Sequence, residues 1–159
     1  KDKSVMKAVI QRVSEASVSV DGKIVGSCNK GFMILFGAVD GDTPADIDVL
    51  AQKTVNLRVF SDENDKMNKS ILDIDGEALV ISQFTLAADV KKGNRPSFSM
   101  ALEPKLAEEY YNIFCEKLHS LGVKSVAKGI FGADMKVSLT NDGPVTILYD
   151  TEIWRKNGN

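Results

Sequence analysis

Phe32-Met33-Ile34-Leu35-Phe36-Gly37-Ala38-Val39 is an unbroken apolar run, and Asp40-Gly41-Asp42 follows it directly. The run has the length of a strand, and it lacks the polar alternation that a strand with one solvated face would show. The glycine and acidic residues after it are a turn signal. We therefore predict a strand that is buried on both faces and lies at the centre of the fold.

The residues before this run predict a hairpin. Lys7 to Val13 alternates with the period of a strand, and two further strand segments, Ser17 to Val20 and Lys23 to Cys28, flank Asp21-Gly22. An Asp-Gly pair favours the two-residue turn that joins antiparallel strands.

Capping signals predict two helices. Thr43 suits the N-cap of the first helix, with Pro44 at its first position, and helical spacing continues to about Asn56. The second helix begins at Pro104, presents one apolar face, and stops at Gly122.

The remaining elements are strands and loops. Segments rich in β-branched or aromatic residues are predicted as strands: Leu57 to Phe60, Glu77 to Leu86, Val123 to Gly129, Lys136 to Thr140 and Val145 to Thr151. Ser61 to Ser70 is predicted as a polar surface loop, and Ala88 to Met100 as a basic loop. The chain therefore reads as mixed α and β, with strands in the majority.

Size and composition indicate one domain over residues 1–159. The chain has 159 residues and 43% hydrophobic content, enough to bury roughly two-thirds of its unfolded surface in one core. Met6 is interpreted as the native start, with residues 1–5 a short leader or an expression remnant. Those first residues do not resemble a signal peptide, and no apolar run approaches the roughly 20 residues of a membrane span.

Charge and cysteine content narrow the classes of function. Charged residues balance to a net charge of −2, so no global positive field draws the chain onto nucleic acid, and any RNA contact must be local. Cys28 and Cys115 lie far apart and match no metal or redox spacing, which favours a reducing cytoplasm.

Several common kinds of catalytic site are excluded by residue content. His119 is the one histidine, so the sequence has too few histidines for the usual hydrolytic zinc sites and histidine triads. The glycines of the first strands assemble no phosphate loop.

Two short stretches remain as candidates for chemistry. Asn141-Asp142-Gly143-Pro144-Val145-Thr146 places a Gly-Pro pair between strand-like segments, and the pair serves either a simple turn or a ligand. Ser82-Gln83-Phe84-Thr85 offers hydroxyls, an amide and a ring, which suit a sugar and a stacked base. The alternative is an ordinary strand in which Gln83 and Thr85 share one face.

Four segments of the sequence form a set. They are Met6-Lys7-Ala8-Val9-Ile10-Gln11-Arg12-Val13, Ser82-Gln83-Phe84-Thr85-Leu86, Lys92-Gly93-Asn94-Arg95-Pro96-Ser97-Phe98 and Asn141-Asp142-Gly143-Pro144-Val145-Thr146. Together they resemble the D-aminoacyl-tRNA deacylases, the D-tyrosyl-tRNA deacylase family. Their order and spacing are similar to the family from Met6 to about Trp154, and residues 1–5 and 155–159 fall outside the pattern.

The resemblance implies a cytoplasmic homodimer with active sites at the subunit interface. Such enzymes hydrolyse the ester that joins a D-amino acid, or glycine, to the 3′-terminal adenosine of tRNA, and no metal or cofactor is implied. The implied fold is a β-rich barrel-like roll, or two packed sheets, with the two helices on one side. Rival interpretations are an RNA-binding module without catalysis and a structural dimer in which Gly-Pro is an interface turn.

For chirality, the resemblance implies that Gly143 and Pro144 form a cis peptide that enters the partner subunit's active site. There, a main-chain wall would clash with an L side chain and let glycine pass. Arg12 resembles the family arginine that orients the Gly-Pro carbonyls, and its planar fork of donors suits that task. Arg12 as a surface strand cation is the alternative.

For the nucleotide, the resemblance implies that Ser82, Gln83 and Phe84 bind the terminal adenosine. The segment that completes this pocket contains Phe131, Gly132, Ala133 and Met135. Thr85 is the candidate nucleophile, but no general base is apparent beside it, so we favour attack by a bound water. The backbone N–H groups of Phe84 and Thr85 would stabilise the oxyanion. Lys91, Lys92 and Arg95 either meet tRNA phosphates or form a solvated loop.

Overall fold

The structure is a computed structural model that describes residues 5–154. The prediction for residues 1–4 of the leader, and the polar tail 155–159, lie outside the described residues. The strands are β1 Lys7–Val20, β2 Lys23–Cys28, β3 Gly31–Gly37, β4 Phe60–Ser61, β5 Met67–Lys69, β6 Glu77–Ser82, β7 Val126–Lys128 and β8 Lys136–Asp150. The helices are α1 Pro44–Val55 and α2 Pro104–Ser120, with 3₁₀ turns at Phe84–Ala87 and Thr151–Trp154.

The predicted central strand is confirmed. β3 pairs with β1 on one side, antiparallel, and with β6 on the other, parallel. All of its residues except Leu35 are buried. The predicted hairpin is confirmed as well, because Val20 faces Lys23 across a turn in which Asp21 and Gly22 have φ of 51° and 79°. Positive φ at both central residues is the type I′ geometry that an Asp-Gly pair favours.

The long strand β1 makes the sheet curve into a roll. Its first half lies between β3 and β8, whereas its second half lies between β2 and β8. The sheet continues through β6 to β7, and β2 returns close to β7. A Cβ atom at Gly26 of β2 would lie 2.4 Å from the carbonyl oxygen of Lys128, so glycine permits this close approach. The barrel-like fold with both helices on one side is confirmed.

Two hydrophobic clusters fill the structure. The larger one packs the helices against the sheet, and there the Phe36 and Phe114 rings stack with centroids 4.8 Å apart. The smaller one joins β1, β3, β6 and β8 through side chains that include Val13, Met33 and Leu79. Because the pairing of β1 with β8 shifts register on both sides of Val13, the two halves of β1 serve different clusters.

Both helices form where capping chemistry predicted them. Thr43 and Asp46 make a reciprocal capping box at the start of α1. The side chain of Glu103 caps α2 by accepting from the N–H groups of Lys105 and Leu106. Gly122 follows the end of α2 with φ of +121°, a conformation that favours glycine. No helix among residues 5–154 is long and apolar enough to cross a membrane.

Several predicted strand boundaries were wrong. The predicted strand Glu77 to Leu86 ends at Ser82. The Gln83 N–H still bonds to the Phe36 carbonyl oxygen, but the chain after it folds over Gly37 as a 3₁₀ turn. Gln83 and Thr85 therefore do not share a strand face.

The other wrong boundaries reflect long-range pairing. One strand, β1, contains both predicted segments Lys7 to Val13 and Ser17 to Val20. Likewise, β8 joins the predicted strands Lys136 to Thr140 and Val145 to Thr151. The cause is that β1 and β8 pair along almost their whole lengths. The predicted strand Val123 to Gly129 is shorter than expected and covers Val126–Lys128 alone. Part of the predicted loop Ser61 to Ser70 pairs instead, as β5 joins β4 in a separate two-stranded sheet.

Candidate active site

A cavity of about 910 Å³ opens where β6 ends and α2 begins. Its lining comes from the end of β6 and the 3₁₀ turn, from the start of α2, and from the segment between β7 and β8. The apolar and aromatic lining with few polar groups is the usual character of a small-molecule site.

The cavity brings together both segments predicted to hold adenosine. The first segment is Ser82, Gln83 and Phe84, with the candidate nucleophile Thr85 directly after it, and the second is Phe131, Gly132, Ala133 and Met135. These segments are distant in sequence and meet because β6 lies beside β7.

The Thr85 hydroxyl is bound by an amide rather than by a base. Gln83 Nε2 donates to Thr85 Oγ1 at 2.8 Å. An amide N–H group can orient a hydroxyl but cannot take its proton. In this geometry Gln83 therefore does not activate Thr85 as a nucleophile.

Aromatic rings form one rim of the cavity. Phe84 is 56% exposed, and its ring meets the Phe98 ring edge-on at 5.1 Å. The exposed face of the Phe84 ring is therefore open to a ligand in the cavity. Phe98 lines the cavity but was not predicted as a site residue, although its position in the Lys92 to Phe98 segment was the available signal.

Tyr111 of α2 does not line the cavity but anchors the segment after β7, part of which does. Its hydroxyl donates to the Val80 carbonyl at 2.7 Å and accepts from the Gly129 N–H at 3.1 Å. Burial raises the pKa of Tyr111 well above its usual range, so the phenol stays protonated and keeps both bonds. Its ring also lies 6.3 Å from that of Phe131, which positions the second adenosine segment.

Sequence reasoning missed the contribution of α2. Leu102, Pro104 and Ala107 line the cavity, although the helical pattern had indicated only that α2 covers the core. No periodic signal could have revealed this role, because it depends on how the start of α2 meets the end of β6.

The predicted phosphate ligands lie outside the lining of the cavity. Lys91, Lys92 and Arg95 are exposed at the tip of a loop that is closed by two hydrogen bonds between the backbones of Asp89 and Ser97. The same loop continues directly into Phe98. The three cations therefore lie a few residues before Phe98 in the sequence, on a loop whose two ends are joined by the Asp89–Ser97 hydrogen bonds.

The Gly143-Pro144 segment is exposed and does not line the cavity of its own chain. Its peptide bond is cis. Arg12 Nε donates to the carbonyl oxygen of Asp142 at 3.0 Å, and its Nη1 donates to that of Val59 at 2.6 Å. In the single chain the arginine therefore holds the residue just before Gly143, rather than the Gly-Pro carbonyls themselves.

Glycine at position 143 is required by space and by backbone angle. A Cβ atom there would lie 2.8 Å from Arg12 Nη2 and 2.9 Å from Val145 Cγ2, and the residue has φ of +130°. Only glycine adopts such a backbone readily. Arg12 and Gly143 are therefore packed as one unit.

Other reactive groups are not equipped for catalysis. Burial raises the pKa of Cys28 to about 11 and that of Cys115 to about 12, so both remain thiols at neutral pH. His119 Nδ1 lies 3.1 Å from the Val123 carbonyl oxygen, a contact at the end of α2. Within residues 5–154, no three His, Cys, Asp or Glu side chains are grouped to hold a metal ion.

Comparison with known proteins gives one consistent family. A family model described as D-Tyr-tRNA(Tyr) deacylase matches residues 9–150. A D-aminoacyl-tRNA deacylase of Roseiflexus castenholzii is 53% identical over 154 residues, covering 97% of this chain and 98% of that protein. One of Flavobacterium psychrophilum is 54% identical over 147 residues, covering 92% and 98%.

Solved structures agree with the sequence matches. A structure titled c-Myc DNA Unwinding Element Binding Protein has a TM-score of 0.85 at 43% identity, covering 89% of this chain and 96% of that one. A probable eukaryotic D-amino acid tRNA deacylase has a TM-score of 0.78 at 17% identity, covering 92% and 99%, which supports the fold alone. Because the family model and the curated relatives span nearly the whole sequence, this chain belongs to the D-aminoacyl-tRNA deacylase family.

Proposed function

We propose that this protein hydrolyses the ester bond of D-aminoacyl-tRNA, and of mischarged glycyl-tRNA, to release the free amino acid and tRNA. The observation that carries the proposal is the cavity shared by Ser82 to Thr85 and by Phe131 to Met135 in a member of this family. Its volume of about 910 Å³ is sufficient for a nucleoside bearing an aminoacyl group.

The terminal adenosine is the part of the substrate that this cavity holds. The half-exposed ring of Phe84 offers a face on which a base stacks, and the edge-on Phe98 ring limits its movement. The Gln83 amide and the Ser82 hydroxyl supply donors and acceptors for ribose. The segment from Phe131 to Met135 closes the other side.

Hydrolysis proceeds by direct attack of a bound water on the ester carbonyl. The water oxygen bonds to the carbonyl carbon, the bond from that carbon to the ribose O3′ breaks, and O3′ leaves with a proton that comes from the water. Phe84 and Thr85 begin the 3₁₀ turn, so their N–H groups lack carbonyl partners within the turn and are available to an oxyanion. The bond from Gln83 to Thr85 supports a positioning role for the hydroxyl over a nucleophilic one.

Chirality is read by the Gly143-Pro144 segment of the partner subunit in a homodimer. This segment is exposed on its own chain and lies apart from that chain's cavity, which leaves it free to enter another. A main-chain wall excludes an L side chain more firmly than a mobile side chain could, whereas glycine presents nothing to clash. Arg12 supports the wall through Asp142.

The acceptor strand of tRNA meets the basic loop. Lys91, Lys92 and Arg95 offer phosphates a local positive charge on a protein whose net charge is −2. The buried free thiols of Cys28 and Cys115 fit a reducing compartment, and we assign the protein to the cytoplasm.

The direct test compares D-tyrosyl-tRNA with L-tyrosyl-tRNA as substrates and follows release of the amino acid. Selective loss of the D-ester is expected, and glycyl-tRNA should also be cleaved. Equal stability of both tyrosyl esters in the presence of the protein would reject the proposal. Tight tRNA retention without cleavage would indicate the binding module instead.

A further inference from the structure

The Gly143-Pro144 segment is part of a four-residue bulge in the pairing of β1 with β8. Gln11 faces Thr146 and Val13 faces Asn141, so Asp142 to Val145 stand opposite the single residue Arg12. A ladder broken in this way leaves backbone groups of the bulged strand without strand partners. Side chains must therefore hold the bulge in one position.

A cluster of three side chains, which we call the Asn141 clamp, spans the base of this bulge. Asn141 Nδ2 donates to Gln11 Oε1 at 2.6 Å and to Thr146 Oγ1 at 3.1 Å. Thr146 Oγ1 donates to the same Gln11 oxygen at 2.9 Å. Asn141 Oδ1 accepts from the Val145 N–H at 3.0 Å.

An amide suits the centre of this clamp because it both donates and accepts. The Asn141 oxygen holds the residue that follows Pro144, while its nitrogen ties β8 to Gln11 on β1. A carboxylate at position 141 would keep the first bond and lose the second, since an ionised carboxylate only accepts. Together with the bond from Arg12 to Asp142, the clamp holds the chain on both sides of Gly143-Pro144.

We infer that Asn141, acting with Gln11 and Thr146, is a positioning residue that sets the stereospecificity of the enzyme. The inference rests on the proposed function, in which Gly143-Pro144 excludes L side chains by a clash. Such a filter depends on the position of the Gly143-Pro144 backbone. If that backbone moves, the L-ester can enter the site, whereas cleavage of the D-ester is less affected because its side chain points away from the wall.

The test is the ratio of kcat/KM for D-tyrosyl-tRNA to kcat/KM for L-tyrosyl-tRNA in Asn141→Ala. Loss of folded protein would lower both constants equally and leave this ratio unchanged, so a merely structural role does not move it. We expect the ratio to fall about five- to tenfold, as for the loss of one or two hydrogen bonds. Tyr149→Phe is the matched control, because it removes a hydrogen bond from β8 to the Lys53 carbonyl, away from the bulge.

Conservative variants separate the two halves of the clamp. Gln11→Glu keeps the accepting oxygen and should retain the wild-type ratio, whereas Gln11→Met removes it but leaves the bond from Val145 to Asn141, and should give an intermediate ratio. Asn141→Asp keeps the bond to Val145 and should give an intermediate ratio. These variants also serve if Asn141→Ala does not fold.

A readout independent of activity is amide hydrogen exchange of Val145, measured by NMR on the full chain. Exchange should be faster in Asn141→Ala than in the wild type and unchanged in Tyr149→Phe. An unchanged ratio, or unchanged Val145 exchange, in Asn141→Ala would overturn the inference while leaving the deacylase proposal standing. A wild-type protein that does not distinguish the two esters would remove the proposed function, and this inference with it.

Discussion

The two ends of the proposed active site are built differently. The adenosine cavity is shaped by main-chain turns and packed rings, with β6, α2 and the Phe131 to Met135 segment each fixed by the core. The Gly143-Pro144 bulge is exposed and is held by polar side chains, chiefly Arg12 and Asn141. In the proposed mechanism, substrate binding therefore rests on the fold itself, whereas stereoselectivity rests on a few hydrogen bonds that single substitutions can remove.

The strongest way to break the bulge is Gly143→Ala. The added Cβ meets Arg12 and Val145 at a φ that disfavours side chains, and such strain costs about 1–3 kcal/mol. We expect the ratio of kcat/KM for D-tyrosyl-tRNA to kcat/KM for L-tyrosyl-tRNA to fall about 10- to 100-fold, because a displaced wall no longer excludes an L side chain. The control is Gly22→Ala, which has a similarly positive φ of +79° in a remote turn with open space around it. An equal fall in both variants would contradict a special role for position 143.

The matching test of the cavity is Phe84→Ala. Stacking of a base on an aromatic ring contributes about 1–3 kcal/mol, so KM should rise about 5- to 100-fold with a smaller change in kcat. Phe84→Tyr keeps the ring face and should behave like the wild type. A normal KM in the alanine variant would show that the exposed ring does not hold the nucleotide.

The basic loop is tested by salt dependence rather than by a single affinity. Exchange of Lys91 and Lys92 for alanine should weaken tRNA binding and lower the slope of log K against log salt by about 0.7–0.9 for each lost phosphate contact. The control exchanges Lys23 and Lys30 for alanine. Both are exposed, Lys23 at the start of β2 and Lys30 between β2 and β3. The same slope in the loop variant and the wild type would place the loop outside the tRNA contact.

The smallest effect is expected from Thr85→Ala. Because the Thr85 hydroxyl is bound by an amide and not by a base, its loss should reduce kcat by no more than about tenfold, the scale of one hydrogen bond. Thr85→Ser should recover the wild-type rate. A fall of several orders of magnitude in single-turnover cleavage would instead identify Thr85 as the nucleophile.

Prediction from sequence succeeded where the signal was local. The type I′ turn at Asp21-Gly22, the capping box at Thr43 and the stop at Gly122 each follow from the chemistry of a few adjacent residues. It failed where two distant segments decide the outcome, as at Ser82, where the strand ends because the chain folds over Gly37. The joining of two predicted strands in β8 has the same cause, since β1 supplies the continuous partner.

The candidate site divides along the same line. Residue chemistry and family resemblance were enough to name Gln83, Phe84, Gly143 and Pro144, because those side chains and backbone shapes lie within short motifs. The resemblance also implied that Phe131 to Met135 completes the pocket of Ser82 to Phe84, whereas the ring of Phe98 at the rim and the clamp from Asn141 to Gln11 came from tertiary structure alone. Turns and caps are short-range and are encoded in adjacent residues, whereas a cavity and a held bulge arise from pairing between strands that are distant in sequence.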